Sequence, residues 1–247
     1  MPVLSIVIPA YEEERKIARD VQEAAAFLAS HGLSGEIIVA DDGSSDGTVR
    51  TAREAGPPPD ILYAVIPAAK HRGKGAAVRD GILASHGEYV MFADSGMTVP
   101  FDNALRGLRL LREGRCDLAH GSRELPESVI VRDKAGDRRA LSTLFRRLAT
   151  SWLHIPASLT DTQCGFKLYR GTVARRLYAS CETDGFMFDV EIILRALNEG
   201  LTIREFPIEW SCDRDSRLGL RRNAAEIIRD MWRLRKLAVR RYSTPRI

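Results

Sequence analysis

The feature that most constrains the fold is an alternation, over about the first hundred residues, of short apolar runs with amphipathic segments of helical length. Val3 to Ile8 is nearly continuous and β-branched, the composition of a parallel strand buried on both faces. Pro9-Ala10-Tyr11 breaks it. Glu12 to Ser30 then places Ile17, Val21, Ala24, Ala25 and Leu28 at a helical period before Gly32. The cycle repeats with a strand over Glu36 to Ala40 and a helix over 48–55, then a strand over Ile61 to Ile66 and a helix over 76–85. Pro57-Pro58-Pro59 is a stiff connector between them, and Tyr89 to Phe92 is the fourth strand. Strands separated by helices pair in parallel through right-handed crossovers, so the chain reads as α/β, a doubly wound, mainly parallel sheet flanked by helices.

Ligands of an open α/β sheet bind outside the carboxyl ends of its strands. This topology brings four turns to that edge: Pro9 to Glu13, Asp41 to Asp46, His71 to Lys74, and Asp94 to Gly96. They supply carboxylates for a base and ribose, a lysine for phosphates, and an acid, Asp94, suited to a metal or a sugar. Asp46 reads as the cap of the helix after it, while Pro9 and Gly43 can equally be turn-formers. The sequence lacks both GxGxxG and GxxxxGK[ST], which argues against a dinucleotide dehydrogenase and a P-loop NTPase.

Farther on, the pattern predicts a helix over 102–113, a strand over Asp117 to Gly121, a charged loop over Glu124 to Arg139, a strand over Lys167 to Arg170, a helix over 186–198 and a strand over Thr202 to Trp210. Ala140 to His154 and Arg222 to Arg241 read as C-terminal amphipathic helices with basic rims. The domain organisation read from this is a principal unit over 1–215 and a basic helix and tail over 216–247. Lys plus Arg total 37 against 33 acids, a net +4 that does not imply nucleic acid. From Arg221 onward, however, nine basic residues face two acidic ones, which favours an anionic surface as partner. Hence the expectation of peripheral membrane contact through 140–154 and 222–241. Four dispersed cysteines without CxxC argue against a disulfide framework or zinc site. No leader and no apolar run of spanning length is visible, so the location expected is cytoplasmic, on the membrane face or free of it.

Six strings carry a family likeness: IVIPAYEEE (Ile6 to Glu14), EIIVADDGSSDGT (Glu36 to Thr48), HRGKGAAVRDGILASHGEYVMFAD (His71 to Asp94), HGSR (His120 to Arg123), TDTQCGFKLYR (Thr160 to Arg170) and FMFDVEII (Phe186 to Ile193). In order and spacing, over about residues 1–215, the chain resembles the inverting family 2 glycosyltransferases of GT-A fold, nearest to their dolichyl-phosphate β-glucosyltransferase and polyprenyl-phosphate branch. The resemblance implies transfer of a hexose, in the first instance glucose from UDP-glucose, to a polyprenyl-phosphate with inversion. It places Pro9, Tyr11, Glu13, Asp41, Asp42, Lys74, Asp94 and Ser95 around the donor, with Asp42 at the uracil or ribose and Lys74 at the diphosphate.

In that family Asp94 opens a DxD motif whose last Asp binds Mg²⁺ or Mn²⁺. Here the string is Asp94-Ser95-Gly96, so either Gly96 replaces the second Asp or a residue is deleted. Both readings leave Asp94 as the metal ligand and imply relaxed metal dependence. The resemblance further assigns Arg123 to the acceptor phosphate, and Asp161 and Gln163 to orienting donor sugar or acceptor. Glu191 would support the site. For a hydroxyl acceptor, Asp161 or Asp189 becomes the candidate general base. Two rival readings stay open: a soluble family 2 enzyme with a small-molecule or saccharide acceptor, and a non-catalytic sugar-nucleotide-binding protein.

Overall fold

A computed structural model describes residues 1–132, 150–212 and 224–243 of the chain. A seven-stranded sheet is formed by β1 (Leu4–Ala10), β2 (Gly35–Asp41), β3 (Leu62–Pro67), β4 (Tyr89–Ala93), β5 (Leu118–Ser122), β7 (Phe166–Arg170) and β8 (Ile203–Pro207), in the order β3-β2-β1-β4-β7-β5-β8. The strands β3, β2, β1 and β4 are parallel, as are β5 and β8, whereas β7 runs antiparallel to both β4 and β5. Opposing the same strand gives β4 and β5 one direction. The carboxyl ends of β1, β2, β4 and β5 and the start of β7 therefore share an edge.

Both sheet faces are covered, which is why β1 and β2 are buried throughout. On one face Ile6, Ile8, Ile37 and Met91 pack under α1 (Ile17–Ser30) and α4 (Ala104–Arg112), through Val21, Leu28 and Leu108. On the other, Val7, Ile38, Val90 and Phe92 pack under α3 (Lys74–Ala84), α5 (Gly171–Ala179) and α6 (Phe188–Asn198). The short α2 (Thr48–Glu54) follows β2. A third cluster joins Ile193 and Leu194 of α6 to Ile227, Leu234 and Ala238 of α7 (Ala224–Ser243).

Pro9 sits in β1 beyond its last pair with β4, Val7 with Phe92, where a missing N–H leaves no ladder donor absent on that side. The separation of β1 from β4 past that pair opens the edge.

The structure adds elements that local pattern did not disclose. Val129–Arg132, expected as loop, forms β6 and pairs in parallel with β9 (Glu209–Ser211) in a separate two-stranded sheet. The single strand expected over Thr202 to Trp210 is thus two, divided after Pro207, whose backbone has no donor to continue the ladder. Helix α5 was not anticipated, although Val173, Ala174, Leu177 and Tyr178 form its buried stripe. The rest of the expected loop, 133–139, and most of the expected helix, 140–149, lie outside the described residues, as do 213–223; Thr150 to Trp152 are helical.

Leu28, fully buried where α1 meets the sheet, is the test of this packing. Leu28→Ala is expected to lower the unfolding free energy by about 2–5 kcal/mol in urea titration, without changing the transition's cooperativity.

Candidate active site

At the ends of β1 and β2 the two chain turns are cross-tied. The Glu12 N–H donates to Ser44 Oγ at 2.8 Å and the Glu13 N–H to Thr48 Oγ1 at 2.8 Å, while Glu12 accepts from the Ser45 N–H at 2.7 Å. Asp46, expected as the cap of α2, stands one residue before the N-cap Gly47 and accepts from the Thr48 N–H at 2.9 Å. The Glu13 carboxylate lies 3.4 Å from Lys16. Tyr11 stacks on His71 with centroids 4.1 Å apart, a partly exposed aromatic pair at the mouth of the edge.

The neighbouring aspartates Asp41 and Asp42 have different duties. Both oxygens of Asp42 hold the basic loop: Oδ1 accepts from the Arg72 N–H at 2.9 Å, and Oδ2 from the Gly73 N–H at 2.8 Å with His71 Nδ1 2.9 Å away. Asp41 closes its own turn, Oδ2 accepting from the Gly43 and Ser44 N–H groups at 3.1 Å each. Its Oδ1, by contrast, is buried without a hydrogen-bond partner. An unsatisfied buried carboxylate oxygen is costly, so the acceptor available to a ligand here belongs to Asp41.

At the end of β4, Asp94 Oδ1 stands 2.5 Å from Lys74 Nζ, an ion pair. Burial works against the Lys74 ammonium, but Asp94 and then Asp189 outweigh it and raise its pKa. Behind them Lys167, 1% exposed, meets Asp189 at 2.5 Å and donates to the Cys164 carbonyl at 2.7 Å. Burial raises the Asp189 pKa against the opposing pull of Lys167 and Lys74. The two ammonium groups lie 5.8 and 5.4 Å from the Phe92 ring centroid. Lys167 was not singled out from the sequence, though a lysine inside the apolar run of β7 is the signal that could have found it.

Two glycines give the β4 turn its shape. A Cβ on Gly165 would fall 2.0–2.3 Å from the Asp94 carboxylate, so only glycine leaves that group its place. Gly96 has φ +90°, where a side chain is strained. The lost second carboxylate of the DxD string is therefore also a backbone matter, since position 96 does not hold an Asp in this turn without strain. Ser95, expected at the donor, turns its hydroxyl to Asp20 of α1 at 2.6 Å.

Farther along the edge, Arg123 follows β5 and is clamped by Asp161, with Nε and Nη2 donating to the two carboxylate oxygens at 2.6 and 2.7 Å. Burial opposes the charge on Arg123, yet Asp161 holds its pKa above the ordinary value. The guanidinium also lies 5.4 Å from the Trp210 ring centroid. Asp161 is fully buried and its own N–H donates to Glu205 at 2.8 Å. Gln163 reaches the Phe186 carbonyl at 3.5 Å. Glu191 is a supporting group, accepting from the Glu182 and Thr183 N–H groups and pairing with Arg195 at 2.6 Å. The structure thus brings Tyr11, Asp41, Asp42, Lys74, Asp94, Asp161, Gln163, Arg123 and Asp189 to elements that meet at one edge.

A reversed strand within a mainly parallel sheet brings acidic and basic side chains together at one carboxyl edge, where open α/β sheets bind their ligands. The family model for glycosyl transferase family 2 matches residues 5–177, and the chain belongs to that family. It is 34% identical over 224 residues to a dolichyl-phosphate beta-glucosyltransferase of Drosophila melanogaster, spanning 84% of this chain and 67% of that protein. To the dolichyl-phosphate beta-glucosyltransferase of Saccharomyces cerevisiae it is 31% identical, over 92% of this chain and 72% of the other. In fold it matches a Mycobacterium tuberculosis glucosyl-3-phosphoglycerate synthase, crystallised with Mn²⁺, UDP-glucose and phosphoglyceric acid, at a TM-score of 0.67 and 19% identity, over 99% of this chain and 81% of that one. The α/β GT-A expectation and the enzyme class hold.

Gly96→Asp, which rewrites the string as DxD, is expected to lower the unfolding free energy by about 1–3 kcal/mol through backbone strain. Calorimetry of UDP-glucose with and without Mn²⁺ should show no gain in metal-dependent affinity over the unsubstituted chain; a clear gain would mean that the turn accepts a second ligand.

Proposed function

We propose that this glycosyltransferase moves glucose from UDP-glucose to a polyprenyl-phosphate of the dolichyl type, with inversion at C1. The observation that carries the reading is that both candidate general bases are already engaged. Asp161 is locked in a bidentate pair with Arg123 and Asp189 in a buried pair with Lys167. Neither is placed to take a proton from a hydroxyl, whereas an acceptor phosphate is an anion that needs none. A phosphate oxygen attacks C1 from the face opposite UDP; the bond from C1 to the β-phosphate oxygen breaks, and UDP leaves with the electron pair. Arg123, held by Asp161 over Trp210, has the forked donors to position the acceptor phosphate. Lys74, released from Asp94, offsets charge on the departing diphosphate. Asp41 Oδ1 offers an acceptor to an N–H or hydroxyl of the nucleoside, and the Tyr11–His71 pair offers a ring face.

No cluster of three or more His, Cys, Asp or Glu suited to a metal ion occurs among the described residues. A Mg²⁺ or Mn²⁺ fits here as a one-carboxylate ion, held by Asp94 together with phosphate oxygens and water, and when bound it would neutralise the diphosphate. With Lys74 beside it, the dependence on that ion is relaxed. Addition of a short polyprenyl-phosphate to enzyme and UDP-glucose should release UDP in the presence of Mn²⁺, with a residual rate in EDTA. Release only with hydroxyl acceptors would overturn the assignment.

The surface near α7 supports contact with a bilayer. No helix among the described residues is long and apolar enough to cross a membrane. Ile228, Trp232 and Val239 recur on one side of α7 and are exposed, as is Trp152. The two indoles meet edge to face at 5.6 Å, and Arg235 lies 5.2 Å from the Trp152 ring centroid. Tryptophan with arginine on an apolar stripe is the chemistry of a headgroup interface. Co-sedimentation with anionic vesicles at low salt should fall about tenfold in Trp152→Ala/Trp232→Ala, in proportion to the apolar area removed. Equal sedimentation would refute this docking face.

A further inference from the structure

Asp20 has no part in the donor or acceptor contacts above, yet it is the best-placed buried acid at the β4 edge. It lies in the first turn of α1 on the helix's apolar side, with Ile17, Val21 and Ala24, and is only 2% exposed. Both oxygens point at the turn after Asp94. Oδ2 accepts from Ser95 Oγ at 2.6 Å and from the Gly96 N–H at 2.9 Å, and Oδ1 lies 3.1 Å from the same N–H. That turn runs through two successive residues of positive φ, Gly96 at +90° and Met97 at +50°. Such a conformation persists only where its surroundings fix it. On the other side of Asp94 its N–H is tied to the Gly165 carbonyl at 2.9 Å. The carboxylate that faces Lys74 is thus suspended between two anchors, one on β7 and one on α1.

We propose that Asp20 is a positioning residue for the donor diphosphate: by gripping Ser95 and Gly96 it fixes where the Asp94 carboxylate stands, and with it the Lys74 ammonium. The inference rests on the donor-side reading above. A two-carboxylate motif has a second metal ligand to hold its loop against the bound diphosphate. This turn carries one carboxylate, and a buried acid from a neighbouring helix supplies the restraint from behind. Asp20 does not touch substrate in this scheme; it acts through the backbone of the turn.

The test is Asp20→Asn in the full chain, a neutral isostere that keeps one acceptor oxygen and removes a buried charge. The KM for UDP-glucose should rise about tenfold, the scale of a lost charge-assisted hydrogen bond. The KM for the polyprenyl-phosphate should stay within about twofold, because Arg123 and Asp161 are untouched. Amide exchange at Gly96 should accelerate, and the melting temperature should not fall. Ser95→Ala should shift the donor KM in the same direction but less, and add little to Asp20→Asn, since the two share one contact. An unchanged donor KM, or equal rises in both KM values with a lowered melting temperature, would overturn the proposal. Should the unsubstituted enzyme release no UDP from UDP-glucose, the substrate reading fails by itself. Exchange at Gly96 then decides the inference: acceleration in Asp20→Asn supports it and an unchanged rate overturns it.

Discussion

Two lysines approach the Phe92 ring, and each lysine has an aspartate: Lys74 with Asp94 and Lys167 with Asp189. Desolvating a charge in this way is unfavourable by several kcal/mol per ion unless a partner and hydrogen bonds compensate it. The edge accordingly matches its ammonium groups to its carboxylates one for one. The inner pair is the fixed one, because Lys167 is sealed and held also by the Cys164 carbonyl. The outer pair is exchangeable, because Lys74 and Asp94 remain partly exposed. A diphosphate arriving at the edge can take Lys74 from Asp94 while Lys167 stays paired with Asp189.

His120 shows what the inner pair does to its surroundings. It faces Lys167 across the β5–β7 ladder with its ring 5.9 Å from Tyr169. Burial, and then the Lys167 charge, push its pKa well down, so it is neutral at physiological pH. A charged imidazole there would add a third cation beside Phe92 with no carboxylate to match it. The basic groups of this edge are held away from titration, His120 as the neutral imidazole and Lys74 as the ammonium ion, so their charges are set by position.

How far this was legible in the sequence depends on the range of the interaction. The strands of the first half, the helices on them and the turns at the carboxyl edge follow from local period and breaker residues, and they emerged close to where the pattern put them. The α1 stripe of Ile17, Val21, Ala24 and Leu28 is buried as read. What pattern could not give was pairing between distant segments. The β6–β9 ladder joins residues about eighty apart, and nothing in Val129–Arg132 alone distinguishes it from an exposed loop. Within the site, the resemblance named Asp42 and Ser95 as donor residues by position in a motif, but their atoms are committed to Arg72, Gly73 and Asp20. Side-chain direction at a turn is decided by which backbone donors lie nearby, and spacing does not encode it. Asp20 and Lys167 carried a visible signal in each case, a charge on an otherwise apolar face, which as a pattern reads as a packing anomaly and in three dimensions as a partner.

The missing second carboxylate fits the same charge accounting. Within the Phe92 cluster two lysines face two aspartates, so a bound diphosphate meets no excess of positive charge there. A further Asp at position 96 would add another negative group next to the phosphates and raise the demand for a divalent cation. In the proposed reading Lys74 and a singly ligated ion would share the neutralisation, while Gly96 lets the backbone turn at φ +90° toward Asp20. A string with one carboxylate and a turn tethered by Asp20 thus occur together in this chain. The carboxylate that would have gripped a metal in front of the loop is gone, and one that grips the loop from behind is buried in α1.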